Sequence, residues 1–168
     1  MIAEPIDWEA LASRLGLLHA GGESGSTQAA RAALEAIIGE ARLVAAVDHY
    51  VSGARGFELA RSVLWLLHPL ASMHRCMQIF AESTDPDARA AAVELLRVVA
   101  DRRALGWIPK ILDDPDLGVQ SWGIGIADQL LFSGLVLFEE IEHVLRAAVQ
   151  HENPIVRETA LKLIVRYS

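Results

Sequence analysis

The sequence DPDARAAAVELL, residues 85–96, decides the fold because it joins a helix-start signal to a run of helix-forming residues. Asp85 is a residue type whose carboxylate caps the free amides of a first helical turn. Pro86 suits that turn, since an amide at this position would have no partner within the helix. Ala and Leu, which dominate the run that follows, have high helix propensity. The stretch therefore predicts a helix that begins at Pro86.

The same start signal occurs twice more, as DPD at 114–116 and ENP at 152–154. The three prolines lie 29 and then 39 residues apart, and two helical segments fit into each interval. Arg follows the proline at the third position in two of the three copies, as Arg89 and Arg157. A motif that recurs at this spacing is typical of a solenoid, in which helix pairs stack on one another.

Three stretches of this repeat resemble a known family. DPDARAAAVELL, followed by ALGWIPKILDDPD at 104–116, resembles a HEAT repeat: a helix A, a short turn, and a helix B with an early proline, Pro109. NPIVRETALKLI at 153–164 resembles the next A helix. The resemblance implies an all-α fold, a HEAT-like (PBS-lyase-like) α-solenoid of antiparallel helix pairs.

The length of 168 residues predicts a single domain. The resemblance to HEAT repeats is uneven along it. It covers residues 85–168 and extends to about residue 56, whereas residues 1–55 fit an N-terminal helical cap or degenerate repeats. The predicted A/B pairs are 57–68/70–81, 86–101/104–113 and 117–132/137–150, with a last helix at 154–167. Upstream helices are predicted at 7–19, 28–38 and 40–51, with a Gly- and Ser-rich loop at 20–27.

The helix predicted after Pro115 departs from the repeat pattern. Gly118 stands where Arg is expected, and Gly123 and Gly125 lie inside the helix. Each interior glycine costs about 1 kcal/mol relative to Ala. A close approach to a neighbouring helix would offset this cost, and so would a flat surface for a partner chain.

Composition excludes several classes of function. The formal net charge of −7 argues against a nucleic-acid partner, which requires a basic surface, and is compatible with a basic protein partner. The most apolar stretch, residues 62–73, contains His68 and Pro69 and is shorter than the roughly 20 residues that cross a bilayer. Cys76 is the only cysteine, so no internal disulfide forms. We therefore expect a cytoplasmic protein with no membrane partner.

Two groups of polar residues are candidates for metal or catalytic sites. His68, His74 and Cys76 lie within nine residues, but their spacing is not that of paired zinc ligands. Glu139 and His143 are one helical turn apart and could ligate a metal or act as an acid–base pair. The alternative is a solvated helix face on which Glu139 pairs with His143 and Glu142 with Arg146. We predict no catalytic residue, no metal and no cofactor.

The tryptophans are predicted from their helical spacing. Trp8, Trp65 and Trp122 fall on apolar stripes and are predicted to be core residues. Trp107 lies just before Ile108, where the inward apolar stripe of the next helix begins, so that stripe does not require Trp107. We therefore predict that Trp107 is partly exposed beside basic residues, a composition typical of binding hot spots. Packing between repeats is the alternative for Trp107.

In HEAT-like proteins, the resemblance implies, the B helices line a concave binding surface. In this chain that surface would present eight side chains: Arg75, Gln78, Trp107, Lys110, Glu139, Glu142, His143 and Arg146. The leading hypothesis is a non-catalytic module that binds a partner protein there. Small size, acidic charge and a bacterial-looking composition of 13 Arg and two Lys also fit a specific inhibitor, such as an immunity protein that neutralises a toxin.

Two alternatives remain. HEAT-like folds include phycobilin lyases and DNA glycosylases, although a glycosylase needs a basic groove that this charge does not favour. A structural subunit of a homo-oligomer, formed through exposed ends of the stack, is the other alternative.

Overall fold

The computed structural model describes residues 5–168, and this part of the chain is helical apart from turns and one short β-hairpin. The all-α prediction is confirmed. Its helices are α1 (Trp8–Arg14), α2 (Thr27–Ile38), α3 (Glu40–Val51), α4 (Phe57–Leu67), α5 (Leu70–Glu82), α6 (Pro86–Val99), α7 (Ile108–Leu112), α8 (Leu117–Phe132), α9 (Phe138–Ala148) and α10 (Pro154–Tyr167). A 3-10 segment, Arg102–Trp107, precedes α7.

The three predicted helix starts are confirmed, with one difference in detail. The Asp85 carboxylate accepts a hydrogen bond from the Asp87 amide at 3.0 Å, and α6 begins at Pro86. The Asn153 side chain caps α10 in the same way. At α8 the cap is Asp116, so Pro115 precedes the cap instead of opening the helix.

One continuous hydrophobic core runs through the molecule from Leu43 in α3 to Leu163 in α10. Helix α6 lies at its centre and packs against α5, α8 and α3. Helix α8 in turn packs against α7 and α10, and α9 packs against α10. The most fully buried large side chains therefore come from the middle of the chain, including Leu95, Leu96, Ile124 and Leu130.

The closest packing does not follow the predicted A/B pairs. Helix α5, predicted to pair with α4, makes its most extensive contact with α6. The predicted B helix at 104–113 is a 3-10 segment followed by the five-residue α7. Pro109 explains this break, because it has no amide to donate to the carbonyl four residues earlier.

The glycines of α8 are explained by close packing. A Cβ atom built on Gly123 would lie 2.6 Å from Ile111 Cγ2, so α8 lies too close to α7 for any side chain at this position. A Cβ on Gly125 would lie 2.9 Å from Cδ of Arg97, a flexible side chain. The close approach predicted from the sequence is confirmed most clearly at Gly123.

The first helix is shorter than predicted, and a β-hairpin follows it. Helix α1 ends at Arg14, and Gly16 adopts a positive φ of 68° that turns the chain away. Strands β1 (Leu18–His19) and β2 (Gly22–Glu23) then pair in antiparallel register within the segment predicted to be a helix end and a loop.

Two tryptophan predictions are wrong. Trp8 and Trp65 are 62% and 58% exposed. Helix α4 buries Leu64 and Leu67 and leaves Trp65 on its outer surface, a face that nothing within residues 5–168 covers. Trp122 packs against the core, with the Arg97 guanidinium 5.1 Å from its ring centroid.

None of the helices described between residues 5 and 168 combines the length and apolar content that a membrane span requires.

Candidate protein-binding groove

A groove of about 910 Å³ lies in the C-terminal half of the molecule. Helices α7 and α9 and the turns that precede α8 and α10 form its walls, and we call it the α7–α9 groove. Apolar wall residues include Leu112, Leu117, Val144 and Ala147. Polar groups come mainly from the two turns: Asp113, Asp114, Gln120, Gln150, His151, Glu152 and Asn153.

A buried amide connects the two turns beneath the groove. Asn153 is 2% exposed, and its side-chain Nδ2 donates to the Leu117 carbonyl at 3.1 Å and to Gln120 Oε1 at 2.9 Å. Gln120 Nε2 then donates to the Asp114 carbonyl at 2.7 Å. Because buried polar groups are costly to leave unpaired, this chain of bonds holds the turns in one arrangement.

His151 attaches the second turn to the end of α7. The Asn153 amide donates to His151 Nδ1 at 3.0 Å, so this nitrogen is the acceptor and Nε2 carries the proton. Nε2 then donates to the Leu112 carbonyl, also at 3.0 Å. The neutral imidazole therefore bridges α7 and the start of α10, and it fixes the width of the groove at that point.

The first turn is held by an ion pair with little solvent exposure. Arg89 Nε and Nη2 donate to the two carboxylate oxygens of Asp114 at 2.9 and 3.1 Å. Asp114 Oδ1 also accepts the Asp116 amide at 2.9 Å. The charge of Asp114 is therefore neutralised from within the fold, and this carboxylate acts as an anchor for the turn.

Two other carboxylates of the groove have no such partner. Asp113 and Glu152 are both exposed, and within residues 5–168 their carboxylates form no ion pair or hydrogen bond. No Lys or Arg belongs to the described groove lining. The groove therefore combines apolar walls with two free negative charges at neutral pH.

The structure brings one of the eight predicted site residues into this groove. His143 lines it from α9. Arg146 Nε donates to Glu142 Oε1 at 2.8 Å, so the predicted pair on the solvated face is confirmed. The predicted Glu139–His143 pair does not form in the described part of the chain, and the Glu139 side chain is exposed.

Arg75 and Gln78 lie on α5 in a polar chain of their own. Arg75 Nε donates to Asp48 Oδ1 at 2.7 Å, and its Nη1 donates to Gln78 Oε1 at 2.8 Å. Gln78 Nε2 continues the chain to Glu82 at 3.1 Å. These side chains link α5 to α3 and take no part in the α7–α9 groove.

Trp107 and Lys110 face α5 from the other side of α7. The half-buried Trp107 ring packs against the core, with its centroid 6.3 Å from that of His74. Lys110 Nζ lies 5.9 Å from the Phe80 ring centroid. The predicted B-helix surface is therefore divided: Trp107, at the end of the 3-10 segment, and Lys110 of α7 face α5, whereas Pro109 faces the groove.

His68 and Cys76, two of the candidate metal ligands, have other roles in the fold. His68 Nδ1 lies 3.1 Å from the Val99 carbonyl, and Cys76 is buried in the core. Burial raises the pKa of the Cys76 thiol well above its ordinary value and keeps it protonated. Among the described residues, no three His, Cys, Asp or Glu side chains are grouped as metal ligands.

Sequence reasoning missed Asp113, His151, Glu152 and Asn153 as groove residues. The DPD and ENP turns were predicted to act as helix caps, with no second role. Their recurrence was the signal available, since turns at equivalent places in neighbouring repeats lie side by side in a stack.

Comparison of the chain with protein-family models, with curated proteins and with solved structures finds no match. The support for a function therefore comes from the geometry and charge of the groove.

Proposed function

We propose that this chain is a non-catalytic protein-binding module that holds a segment of a partner protein in the α7–α9 groove. The observation that carries the proposal is the groove itself, about 910 Å³ with apolar walls and a polar frame held by buried hydrogen bonds. A preformed site loses little conformational entropy when a ligand binds.

The proposed architecture is a HEAT-like stack. Its support is a row of even-numbered helices in which α4 packs on α6, α6 on α8 and α8 on α10. In such a stack the interior helices supply the core, and the turns and outer helices are free to bind. The α7–α9 groove lies among these turns and outer helices.

The charge of the chain supports a basic partner. A net charge of −7 raises the rate of encounter with a positively charged protein. An inhibitor of the immunity type, which neutralises a basic toxin, is one form of this proposal.

Site-specific photo-crosslinking tests the proposal. Benzoyl-phenylalanine is introduced at Ala147, an exposed residue of the groove, and separately at Ala45, an exposed residue of α3. We expect the Ala147 probe to give an adduct with a defined protein in native extract and the Ala45 probe to give none. The purified partner should then form a stoichiometric complex that Ala147→Trp weakens by filling the groove. Adducts that do not depend on probe position, or a complex insensitive to Ala147→Trp, would contradict the proposal.

A structural homo-oligomer is a second candidate, favoured by exposed apolar side chains on α4 and α10. Leu59 and Leu66 of α4 are 72% and 63% exposed, and Val165 of α10 is 81% exposed. Sedimentation over a hundredfold concentration range tests it: self-association that Leu66→Gln abolishes would support this candidate, and a constant monomer mass would rule it out.

A further inference from the structure

The two free carboxylates of the α7–α9 groove identify the chemistry of its occupant. Asp113 follows α7, and Glu152 precedes α10, so the carboxylates come from different walls of one groove. The third carboxylate, Asp114, is neutralised by Arg89. We propose that the groove selects a basic segment of a partner protein and receives an Arg or Lys side chain between Asp113 and Glu152; this inference rests on the proposed function.

The apolar walls fit the rest of such a side chain. Leu117, Val144 and Ala147 line the groove between the turns. Arg and Lys place their methylene stems along apolar surface and keep the charged head near polar groups. A stem against these walls would leave its head at the groove edge, where Asp113 and Glu152 are exposed. Hydrogen bonds between a cationic donor and a carboxylate are stronger than neutral ones.

The same charges disfavour other occupants. A phosphate backbone or an anionic lipid surface would meet two carboxylates and no lining Lys or Arg within the described residues. A purely apolar helix would cover Asp113 and Glu152 without offering them a partner, which is costly for buried charge. A basic peptide segment is the occupant that complements both the walls and the charges.

The carboxylates are held in place before binding. Asp113 is adjacent to the anchored Asp114, and Glu152 lies between His151 and Asn153, whose side chains are bonded to α7 and to the α8 turn. The backbone at both positions is therefore fixed, and binding has to order only the side chains of Asp113 and Glu152.

Selection from a random dodecapeptide phage library tests this inference separately from the proposed function. The wild type is compared with the double variant Asp113→Asn/Glu152→Gln and with the control Asp87→Asn/Glu158→Gln, which removes the same charge from exposed positions outside the described groove lining. We expect wild type and control to enrich peptides with Arg or Lys at one fixed position. The double variant should lose that preference.

Affinity measurements on the strongest selected peptide complete the test. Its binding should weaken about tenfold to hundredfold in the Asp113→Asn/Glu152→Gln variant and when its fixed basic residue is replaced by Gln. Enriched peptides that compete for the groove but lack a fixed basic residue would overturn the inference and leave the proposed function standing. Recovery of no groove-binding peptide would overturn both. Carboxylate-dependent binding of spermidine without any selected peptide would assign the site to a free polyamine and overturn the peptide occupant.

Discussion

Helices α2 and α6 have similar lengths and similar amphipathic patterns, but they contribute very differently to the fold. All twelve residues of α2 are described, and none of them is buried. Helix α6 has 14 residues and buries Ala92, Val93, Leu95, Leu96 and Val99. Amphipathic periodicity identifies the face that a helix can bury, whereas burial itself depends on how many neighbours reach that face.

The difference follows from the neighbours of each helix. Helix α6 lies between α5 and α8, so its apolar residues have neighbours on two sides. Helix α2 contacts α3 and α4 less extensively and leaves Leu34 and Ile37 on the surface. We therefore expect the free energy of unfolding to depend mainly on α3–α10, and α2 to contribute little.

Truncating one leucine in each helix should give the largest effect and tests this comparison directly. Leu96 is 0% exposed and Leu34 is 44% exposed. Leu96→Ala should lower the free energy of unfolding by about 3–4 kcal/mol, because it leaves a cavity in packed surroundings. Leu34→Ala should cost less than about 1 kcal/mol, as usual for surface sites. Urea denaturation followed by circular dichroism at 222 nm measures both, and equal losses would show that α2 belongs to the core.

The helix positions in both halves could be predicted because their signals are local. Asp85, Asp116 and Asn153 cap their helices through bonds to amides two or three residues away, and a sequence pattern detects that range. The exposure of Trp65 could not be predicted in the same way. It depends on whether another helix covers the outer face of α4, which is decided by packing between distant segments.

The caps of α10 and α2 differ in their surroundings. Asn153 caps α10 and also donates to Leu117 and Gln120, whereas Ser26 caps α2 with one exposed hydrogen bond to the Ala29 amide. Asn153→Ala should cost about 2–3 kcal/mol, since it removes a cap and the two hydrogen bonds that Asn153 donates to α8. Ser26→Ala should cost about 1 kcal/mol at most.

Chemical denaturation measures both cap variants, and Asn153→Asp serves as a control. Asp retains the cap acceptor but cannot donate to the Leu117 carbonyl, so its stability should fall between those of wild type and Asn153→Ala. Equal losses for Asn153→Ala and Ser26→Ala would mean that the bonds under the α7–α9 groove add no stability.

These bonds also explain why the groove was not predicted. Asn153 and Gln120 are separated by 33 residues, and His151 and the Leu112 carbonyl by 39. Each residue has an adequate local explanation as a turn or cap residue, so nothing in the sequence alone required a second role. The recurrence of the turns predicted a stack of helix pairs, but the hydrogen bonds between the turns depend on side-chain geometry.

A smaller effect is expected from substitutions at the two glycines inside α8. Gly123→Ala should lower the free energy of unfolding by about 1–2 kcal/mol, because the clash with Ile111 outweighs the gain in helix propensity. Gly125→Ala should change it by no more than about 0.5 kcal/mol, because the Arg97 side chain can move while Ala favours the helix. A stabilising effect of Gly123→Ala would show that α7 and α8 do not approach each other this closely.

The smallest effect is expected on the outer surface of α4, where Trp65 is 58% exposed. Trp65→Ser should change the free energy of unfolding by less than about 0.5 kcal/mol, because it removes few buried contacts. Trp122→Ser should cost several times more, since Trp122 packs against the core and stacks with Arg97. Acrylamide quenching gives an independent readout: removing Trp65 should lower the quenchable fraction of fluorescence, and removing Trp122 should raise it. A large stability loss for Trp65→Ser would mean that another surface covers the outer face of α4, and sedimentation of the wild type would then show whether that surface belongs to a second copy of the chain.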